Sequence, residues 1–516
     1  MSANKLSHKA KEPTKPQKRG VFQWVKRHPV VFWLTLITIL ATFLRFFALG
    51  SESIWLDEAY SIIESHLSIQ GIAASSNQPP VYFWILRVWI DLFGTSEVAL
   101  RSLSAIFGVF SVVAIYFAGT ALLNKKAGLF SAFIASFAVF AIVHSQDARA
   151  YSLLMLLSTL SYWFFIEIFQ KDEKKCYIAY TVVSVLLIYT HFFGLFIIAS
   201  QVLFYLIFIK KFFSQRLKYI IPLAIFIVSI IPLFLLLNNN ISRIGSGNFW
   251  ISEPSNMAVV NTLVSFSGSG SARYVIFTIF ILIAIWGIFT LFRKNTKPHK
   301  KNPGTHKPKI PSVTEEKGSK LGHVEIMVLL LLWLFIPILI PFIESKIMAP
   351  IYQSKYVIGA YPALALMVGN GIVSLKSKWI ITPVLILIII LSSFVLYNYY
   401  KYDSREQWRE TVQFINTESQ PGDLILICNS YYQKPFDYYY QGDLKEQGIS
   451  STEDATDFIN SEDGQSLTQS GRLWLILAYN KLDIYNVLAN AYGKDSVKYI
   501  QYYYAITIVL FNPSGN

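Results

Sequence analysis

Charged side chains are scarce in this sequence. Asp, Glu, Lys and Arg make up 15% of the 516 residues, while 53% are hydrophobic; about 25% charged residues is typical of a soluble globular domain. Several apolar stretches approach or reach the roughly 20 residues that a helix needs to cross a bilayer. The shortage of charge therefore excludes an ordinary soluble domain and predicts a polytopic α-helical membrane protein.

Cysteine is rarer still, because Cys176 and Cys428 are the only two. No CxxC pair or Cys/His cluster indicates a zinc or redox site. The C-terminal part lacks a Gly-rich phosphate loop and a nucleophile elbow. The chain also lacks an internal repeat, which many transporters show. The chemistry must therefore come from other groups.

Positive charge is unevenly distributed along the chain, whose formal net charge is +14. Residues 403–516 hold 8 Lys and Arg against 15 Asp and Glu, and the preceding residues hold 37 against 16. A basic membrane part and an acidic C-terminal part suggest that the two face different compartments. Because the basic residues are scattered among short loops, they do not indicate nucleic-acid binding.

The hydropathy pattern predicts three parts: a basic cytoplasmic segment (1–29), a membrane part (30–400) and an extracytoplasmic domain (401–516). The first apolar stretch lacks a small-residue cleavage site, so it is predicted to be an uncleaved span. About eleven spans are predicted, over 30–49, 100–122, 127–143, 151–169, 177–189, 193–209, 219–237, 273–292, 324–342, 357–373 and 380–396.

The positions of Lys and Arg predict the orientation. The apolar stretch 81–93 is only about 20 Å long as a helix, so it is predicted to lie in the membrane interface. Every short basic loop then falls inside, as the positive-inside rule requires, together with a Lys/Pro/Gly-rich linker at 294–320. The segments predicted to face the outside together are 50–99, 144–149, 190–194, 238–272 and 343–356.

The sequence changes character at about residue 403. Strands are predicted at 423–428, 472–479 and 502–511, and helices at 405–416, 452–460 and 481–493. Strands that alternate with helices are typical of a small α/β domain. Since this domain carries no catalytic motif, we interpret it as a binding or scaffolding domain.

Two adjacent carboxylates, Asp57 and Glu58, follow the first span at the predicted outer surface. Charge this close to hydrocarbon usually binds or reacts with something, although Asp57 could instead cap a helix that begins near residue 58. A partly buried carboxylate kept ionised by nearby cations suits a general base. Arg149 and Lys355, in other external segments, are suited to binding phosphate. Further candidates are Trp55, Arg101, His144, Asp147, His191, Arg243, Trp250 and Arg273.

These side chains favour an enzyme that transfers a chemical group from a lipid phosphate carrier to an acceptor. The acceptor hydroxyl needs one base, and the leaving phosphate needs stabilisation by cations. Hydrolysis by a glycosidase would instead need an acid together with a base or nucleophile.

Four ordered motifs carry a family resemblance. They are SIWLDEAY at 53–60, NQPPVY at 77–82, FGxSExxxR at 93–101 and SQDARAYS at 145–152. With these motifs, roughly residues 30–400 resemble the bacterial glycosyltransferase family 39, of the protein O-mannosyltransferase and aminoarabinose transferase type. The resemblance implies the GT-C membrane fold, a polyprenyl-phosphate-linked sugar donor used on the external face, inversion, and the first-loop aspartate, here Asp57, as catalytic base.

Two positions depart from the family pattern. Gln78 stands where the family often has His before Pro-Pro, and Lys355 precedes Tyr356 where the family often has Arg. Lys355 keeps the positive charge and loses the bidentate geometry. Asp147 is equally suited to cap the span that follows it. The expected substrate contacts are Glu58, Gln78, Asp147, Arg149, His191, Lys355 and Tyr356.

The sequence establishes no cofactor. Glu58 is also a candidate metal ligand, and a divalent metal stays open because the acidic pair has no nearby third ligand. The sequence therefore predicts a plasma-membrane glycosyltransferase that moves a hexose or pentose from polyprenyl phosphate to an external protein, lipid or glycan. The alternatives are a lipid-linked-saccharide transporter or flippase, and a non-catalytic envelope-assembly protein.

Overall fold

The structure is a computed structural model that describes most of the chain. The described residues are 25–68, 71, 78–171, 173–212, 224–233, 251–296, 321–468, 471–479 and 481–513. The predicted linker lies outside them apart from residues 294–296, and so does most of the predicted basic N-terminal segment. Within the described residues, six helices are long and apolar enough to cross a membrane.

Helices make up most of the described residues from 29 to 401, and local signals mark several of their starts. Pro29 begins the first helix, where its missing N–H costs nothing. The side chains of Ser96 and Asn124 cap the helices that follow them, through bonds from the amides of Ala99 and Ala127. The helices are α1 (Pro29–Phe46), α2 (Leu56–Ser65), α3 (Val81–Phe93), α4 (Glu97–Leu122), α5 (Lys125–Ser136), α6 (Val139–Val143), α7 (Tyr151–Lys171), α8 (Lys174–Thr190), α9 (Gly194–Ile207), α10 (Ile209–Phe212), α11 (Ala224–Leu233), α12 (Ala258–Ser265), α13 (Ala272–Thr296), α14 (His323–Ile347), α15 (Tyr361–Ser374) and α16 (Lys378–Lys401).

The predicted spans coincide with helices, but their lengths differ. The six long apolar helices are α1, α4, α7, α13, α14 and α16. Three shorter apolar helices fall on the predicted spans at 193–209, 219–237 and 357–373. The count of eleven crossings therefore stays a prediction. The predicted interfacial helix at 81–93 is present as α3, with the same bounds.

The predicted span at 127–143 is not one helix, which corrects the prediction. It is divided into α5 and α6 at residues 137–138. The buried Arg45 guanidinium lies at the break and donates to the carbonyls of Ala135 (3.2 Å) and Ser136 (3.3 Å). A cation at a helix C-terminus satisfies carbonyls that have no partner within the helix.

Glycines allow α13 and α15 to pack closely. Gly287 and Gly371 face each other, and a Cβ built on Gly371 would lie 2.0 Å from the carbonyl oxygen of Ile283. A side chain at position 371 would therefore force the two helix backbones apart.

The C-terminal part is an α/β domain built on a five-stranded sheet of order β2-β1-β3-β5-β4. Strands β1 and β3 are buried apolar runs, as expected of central parallel strands. β1 is parallel to both β2 and β3, whereas β5 is antiparallel to β3 and β4. The elements are α17 (Trp408–Glu418), β1 (Leu424–Cys428), α18 (Gln433–Tyr439), β2 (Lys445–Ile449), α19 (Thr452–Asn460), α20 (Glu462–Ser466), β3 (Leu473–Ala478), α21 (Leu482–Tyr492), β4 (Val497–Tyr503) and β5 (Ile506–Phe511).

Two details of this domain differ from prediction. The predicted single strand at 502–511 is wrong, because the chain reverses at Ala505, whose φ is +58°, to form a β4–β5 hairpin. β2 was missed because its sequence, KEQGI, is that of an exposed edge strand without an apolar run. The predicted strands at 423–428 and 472–479 are confirmed as β1 and β3.

Replacing Gly371 by Ala tests the close helix packing. The added methyl group meets a backbone carbonyl that cannot rotate away, and overpacking of this kind costs about 1–3 kcal/mol. We expect a lower melting temperature of the detergent-solubilised protein. Leu282→Ala, at a side chain of α13 that is 64% exposed, is the control. Equal melting temperatures for Gly371→Ala and the unmodified protein would contradict the prediction.

Candidate active site

Helix α2 begins earlier than predicted and places Asp57 and Glu58 in its first turn. Trp55 is the N-cap, and the Glu58 carboxylate returns to its amide at 3.4 Å. The alternative that Asp57 caps a helix is therefore wrong. Because successive helical residues point about 100° apart, the two carboxylates face different surroundings.

Glu58 is fully buried and bound by Arg101 from α4. Arg101 Nε donates to Glu58 Oε1 at 2.8 Å, and Nη2 donates to Oε2 at 2.7 Å. The amide of Ala148 donates to Oε1 as well, at 2.9 Å. Two parallel bonds between a guanidinium and a carboxylate form the strongest ion-pair geometry available to side chains.

Arg101 also shapes the loop between α1 and α2. Its Nη1 donates to the carbonyls of Leu49 (3.1 Å) and Glu52 (2.8 Å), and Nη2 donates to that of Ser53 (2.7 Å). Since both Glu58 oxygens are already bonded and the side chain is fully buried, this geometry does not support the prediction that Glu58 contacts substrate or a metal. Among the described residues, no three His, Cys, Asp or Glu side chains group as metal ligands do.

Asp57 faces two cations and is 25% exposed. Lys355 Nζ donates to Asp57 Oδ2 at 2.9 Å. Arg149 Nη1 donates to the Asp57 carbonyl and to Ser61 Oγ, each at 3.0 Å. Burial raises the pKa of Asp57, but the charges of Arg149 and Lys355 outweigh burial and hold this pKa below its ordinary value. Asp57 is therefore ionised at neutral pH.

Aromatic rings surround the Lys355 ammonium. Its Nζ lies 5.2 Å from the ring centroid of Trp55, 5.6 Å from that of Tyr151 and 5.8 Å from that of Tyr356. Rings at this distance attract a cation through their electron-rich faces. They hold the ammonium beside Asp57 without adding a second negative charge.

His191 lies in the same aromatic cluster and is uncharged. Its ring is 5.0 Å from that of Tyr356. Burial, with the nearby charges of Arg149 and Lys355, lowers the pKa of His191 to about 3. Nδ1 accepts a hydrogen bond from the amide of Phe193 (3.2 Å), so the proton of the neutral ring lies on Nε2. Nε2 is buried and has no hydrogen-bond partner among the described residues.

Asp147 is bound by a residue that the sequence reasoning missed. Arg405, just before α17, donates to Asp147 Oδ1 at 2.7 Å, and His144 Nδ1 lies 3.0 Å from Oδ2. Arg405 also lies 3.3 Å from the Glu52 carboxylate and 3.6 Å from that of Glu58. Burial works against these charges, but Arg405 and His144 lower the pKa of Asp147 to about 2. Asp147 is therefore bound in an ion pair with Arg405 of the C-terminal domain. This geometry does not support the predicted contact between Asp147 and substrate.

The predicted external segments hold more carboxylates than cations. This surplus was the sequence signal for an additional cationic partner such as Arg405. Buried carboxylates need cations, but sequence spacing does not show which arginine supplies the charge. Of the other candidates, Gln78 is half-buried just before α3, and Arg273 lies at the start of α13. Arg243 and Trp250 lie outside the described residues.

Four of the five predicted external segments meet at this site, through Asp57, Arg149, His191 and Lys355. The described part of the fifth contacts the same loop as Lys355, because Thr262 Oγ1 lies 2.8 Å from Ser354 Oγ. The ionised Asp57 carboxylate can remove a proton from one ligand. Lys355 and Arg149 beside it can bind the phosphate of another ligand, and aromatic rings line the site.

Comparison with known families matches part of the chain. Residues 77–235 match the family model described as dolichyl-phosphate-mannose-protein mannosyltransferase. The match covers less than a third of the chain and begins after Asp57. A protein of Aquifex aeolicus (strain VF5), described as uncharacterized, is 25% identical over 190 residues, or 35% of this chain and 38% of that protein. The chain thus matches well under half the length of that relative.

Solved structures share the overall fold. ArnT from Cupriavidus metallidurans in the apo state gives a TM-score of 0.58 at 13% identity, over 94% of this chain and 99% of that one. ArnT bound to undecaprenyl phosphate gives 0.53 at 14% identity, over 93% and 98%. The archaeal oligosaccharyltransferase AglB from Archaeoglobus fulgidus, in complex with an inhibitory peptide and a dolichol-phosphate, gives 0.52 at 11% identity, over 95% and 75%.

At these identities the likeness shows the fold, which is the GT-C membrane fold. Together with the family match, it confirms the resemblance to GT-C glycosyltransferases.

Substitution of Arg101 tests the buried ion pair. Arg101→Ala removes both short hydrogen bonds of the buried ion pair and leaves Glu58 with a more distant cation, Arg405 at 3.6 Å; breaking a buried pair costs about 3–5 kcal/mol. We expect a large drop in the melting temperature of the detergent-solubilised protein. The matched control is Arg87→Ala on α3, whose ion pair with Asp91 (3.1 Å) is exposed and is worth about 0–1 kcal/mol. Similar melting temperatures for the two variants would show that the Arg101 pair is not structural.

Proposed function

We propose that this chain is a membrane glycosyltransferase that transfers a sugar, with inversion, from a polyprenyl phosphate to an extracytoplasmic acceptor, with Asp57 as general base. The observation that carries the proposal is the ionised Asp57 carboxylate, 2.9 Å from Lys355 and adjacent to Arg149. A base and a phosphate-binding pair thus lie within one site.

The reaction needs one proton transfer. An acceptor hydroxyl attacks the anomeric carbon of the donor sugar from the face opposite the phosphate. The new glycosidic C–O bond forms as the bond to the phosphate oxygen breaks, and the Asp57 carboxylate takes the hydroxyl proton. Polyprenyl phosphate leaves with the electron pair of the broken bond, and the positive charges of Arg149 and Lys355 stabilise it.

Several features support a phosphate-bearing lipid as donor. ArnT and AglB, which share the fold, have been solved with undecaprenyl phosphate and with a dolichol-phosphate. In this chain, Nε1 of Trp55 and Nε2 of His191 are buried donors without partners in the part that the structure describes. Buried unpaired donors are rare in native proteins, and oxygens of a bound sugar phosphate would satisfy both.

The hydrogen bond between Lys355 and Asp57 links donor binding to the strength of Asp57 as a base. While Lys355 donates to Asp57, it stabilises the charged carboxylate and weakens Asp57 as a base. A bound phosphate competes for the same ammonium. As Lys355 turns to the phosphate, the proton affinity of Asp57 rises when an acceptor needs it.

The remaining predicted contacts take secondary places in this proposal. His191 and Tyr356 line the site beside Lys355 and would contact the sugar or the phosphate. Gln78, at the start of α3, is proposed as a further substrate contact.

The location follows from the same proposal. The predicted orientation places the N-terminus in the cytoplasm and the C-terminal domain outside the plasma membrane. The structure supports a common side for the site and that domain, because Arg405 binds Asp147 and Tyr439 Oη lies 2.8 Å from the amide of Ile54.

Asp57→Asn tests the base. The amide has nearly the same shape but cannot accept the proton, and general-base catalysis contributes about 10²–10⁴-fold to the rate. We expect transfer of radiolabelled sugar from its polyprenyl phosphate, in membranes or detergent, to fall by that factor with a nearly unchanged melting temperature. Asp91→Asn, at an exposed carboxylate on α3, is the control with full activity.

Undiminished transfer in Asp57→Asn would remove this residue from the mechanism. A protein that translocates the labelled lipid across vesicle membranes without forming glycosylated product would instead be a transporter, the main alternative function.

Lys355→Met tests the electrostatic control of Asp57. In the unmodified protein the pKa of Asp57 lies below its ordinary value, so kcat/KM should stay level as the pH falls from 7 towards about 5. Without the Lys355 charge, burial is offset less and the pKa rises. The acid limb of the pH profile should therefore move to higher pH in Lys355→Met and stay in place in Lys355→Arg. An unmoved limb in Lys355→Met would contradict this control.

A further inference from the structure

The sheet of the C-terminal domain has a topological switch point between β1 and β3. These strands are parallel neighbours, but the helices that follow them pack on opposite faces. Residues of α18 share a core with α17, whereas residues of α21 share one with α19. Where two neighbouring connections leave in opposite directions, a crevice opens at the carboxyl ends of the strands, and ligands bind there in open α/β sheets.

The residues that leave both strands are held in unusual backbone conformations. Asn429 after β1 has φ +61°, and Tyr479 after β3 has φ +54°. Hydrogen bonds hold both turns, since the Tyr479 amide donates to Ala505 and the Asn429 carbonyl accepts from Tyr432. Non-glycine residues in this region store backbone strain, and such strained residues cluster at ligand sites.

Tyrosine rings line the crevice. The ring of Tyr432 lies 4.6 Å from that of Tyr431 and 6.0 Å from that of Tyr479. The two outer rings are accessible, with Tyr431 42% exposed and Tyr479 59% exposed. Exposed rings on a rigid sheet edge offer flat apolar faces beside polar hydroxyls.

Glu406 supplies a buried carboxyl group to the same place. Its Oε1 accepts a hydrogen bond from Tyr479 Oη at 2.9 Å. The side chain is 2% exposed, and its Oε2 has no hydrogen-bond partner anywhere in the described parts of the chain. Trp408, whose ring packs 5.7 Å from Tyr432, has an unpartnered buried Nε1 as well. Both atoms lack the partner that buried polar groups normally have.

The crevice lies over the candidate active site. Helix α18, which follows β1, packs against α2, the helix of Asp57. Lys434 of α18 lies 4.8 Å from the ring centroid of Tyr60 on α2. Burial raises the pKa of Glu406, and the negative charge of Asp57 raises it further. The two carboxyl groups therefore lie within electrostatic range of each other.

We propose that the β1–β3 crevice is the acceptor subsite and that it takes a saccharide, whose apolar face stacks on Tyr479 and Tyr431 and whose hydroxyls bond to Glu406. This inference rests on the proposed transferase function, because it names what Asp57 deprotonates. A sugar combines flat C–H faces with a ring of hydroxyls, which matches rings beside a carboxyl group. A polypeptide that bound by adding a strand would need a free strand edge, and β1 and β3 are each paired on both sides.

Ligand-observed saturation-transfer NMR on the full-length protein in detergent tests the subsite. The probes are methyl glycosides of common hexoses, with a short blocked threonine peptide for comparison. We expect glycoside signals with the unmodified protein. We expect affinity to fall about tenfold or more in Glu406→Gln and Tyr479→Ala, since one lost hydrogen bond or ring contact changes affinity by about that factor. Tyr479→Phe keeps the ring and should lose less.

Two controls separate this subsite from the rest of the protein. Tyr502→Ala removes a tyrosine that is 69% exposed on β4, at the far edge of the sheet, and should bind glycosides normally. Thermal stabilisation by undecaprenyl phosphate should be unchanged in the Glu406 and Tyr479 variants, which shows that they are folded and that the donor site is intact.

Unchanged glycoside binding in both Glu406→Gln and Tyr479→Ala would overturn the proposal. So would peptide binding without glycoside binding, which would indicate a polypeptide acceptor. Glycoside binding that depends on Glu406, in a protein that forms no glycosylated product from the donor, would support the crevice and overturn the transferase function.

Discussion

The buried ion pair between Glu58 and Arg101 is the interaction on which the site depends. It joins α2 to α4 by two short hydrogen bonds, and the same guanidinium holds three carbonyls of the loop that precedes α2. Glu58 Oε1 also accepts the amide of Ala148, one residue before Arg149. One carboxylate thus fixes the loop, the helix and the turn that together place Asp57 beside Arg149. Rigid support of this kind is what a catalytic group requires.

Adjacent carboxylates have opposite tasks here because of helix geometry and environment. Glu58 points into the protein, where both of its oxygens are bonded. Asp57 points about 100° away into a partly exposed site whose cations are only partly engaged with it. Glu58 is therefore a structural anion, whereas the partner of Asp57, Lys355, can be replaced. In the proposed mechanism, exchange of that partner for a phosphate couples donor binding to the strength of the base, so the charges that would hold the leaving group would also regulate proton transfer.

Sequence reasoning predicted much of the fold and the main residues of the site, and its errors have physical causes. Apolar runs and ordered motifs indicated the membrane helices, the GT-C fold and the grouping of Asp57, Arg149 and Lys355. The break at residues 137–138 was missed because it depends on Arg45, ninety residues away in the chain, which binds the freed carbonyls. Glu58 was interpreted as a substrate ligand because spacing does not show which carboxylate faces inward. Arg405 was missed because its partners are Glu52, Glu58 and Asp147, and pairs so distant in sequence leave no local pattern.

Ion pairs between the C-terminal domain and the membrane part bear on whether this domain can open and close over the site. Arg405 is buried between Glu52, Glu58 and Asp147, and Arg409 binds Glu97 together with carbonyls of the loop before α2. Undocking this domain would remove Arg405 from the buried carboxylates of Glu58 and Asp147, and uncompensated buried charge is strongly destabilising. The residue after Arg405 is Glu406, which points to the crevice instead. Arg405 anchors the domain, and the next residue, Glu406, is the proposed acceptor contact. This contact can therefore lie over Asp57 without a closing motion of the domain. We therefore interpret the C-terminal domain as a fixed wall of the candidate site.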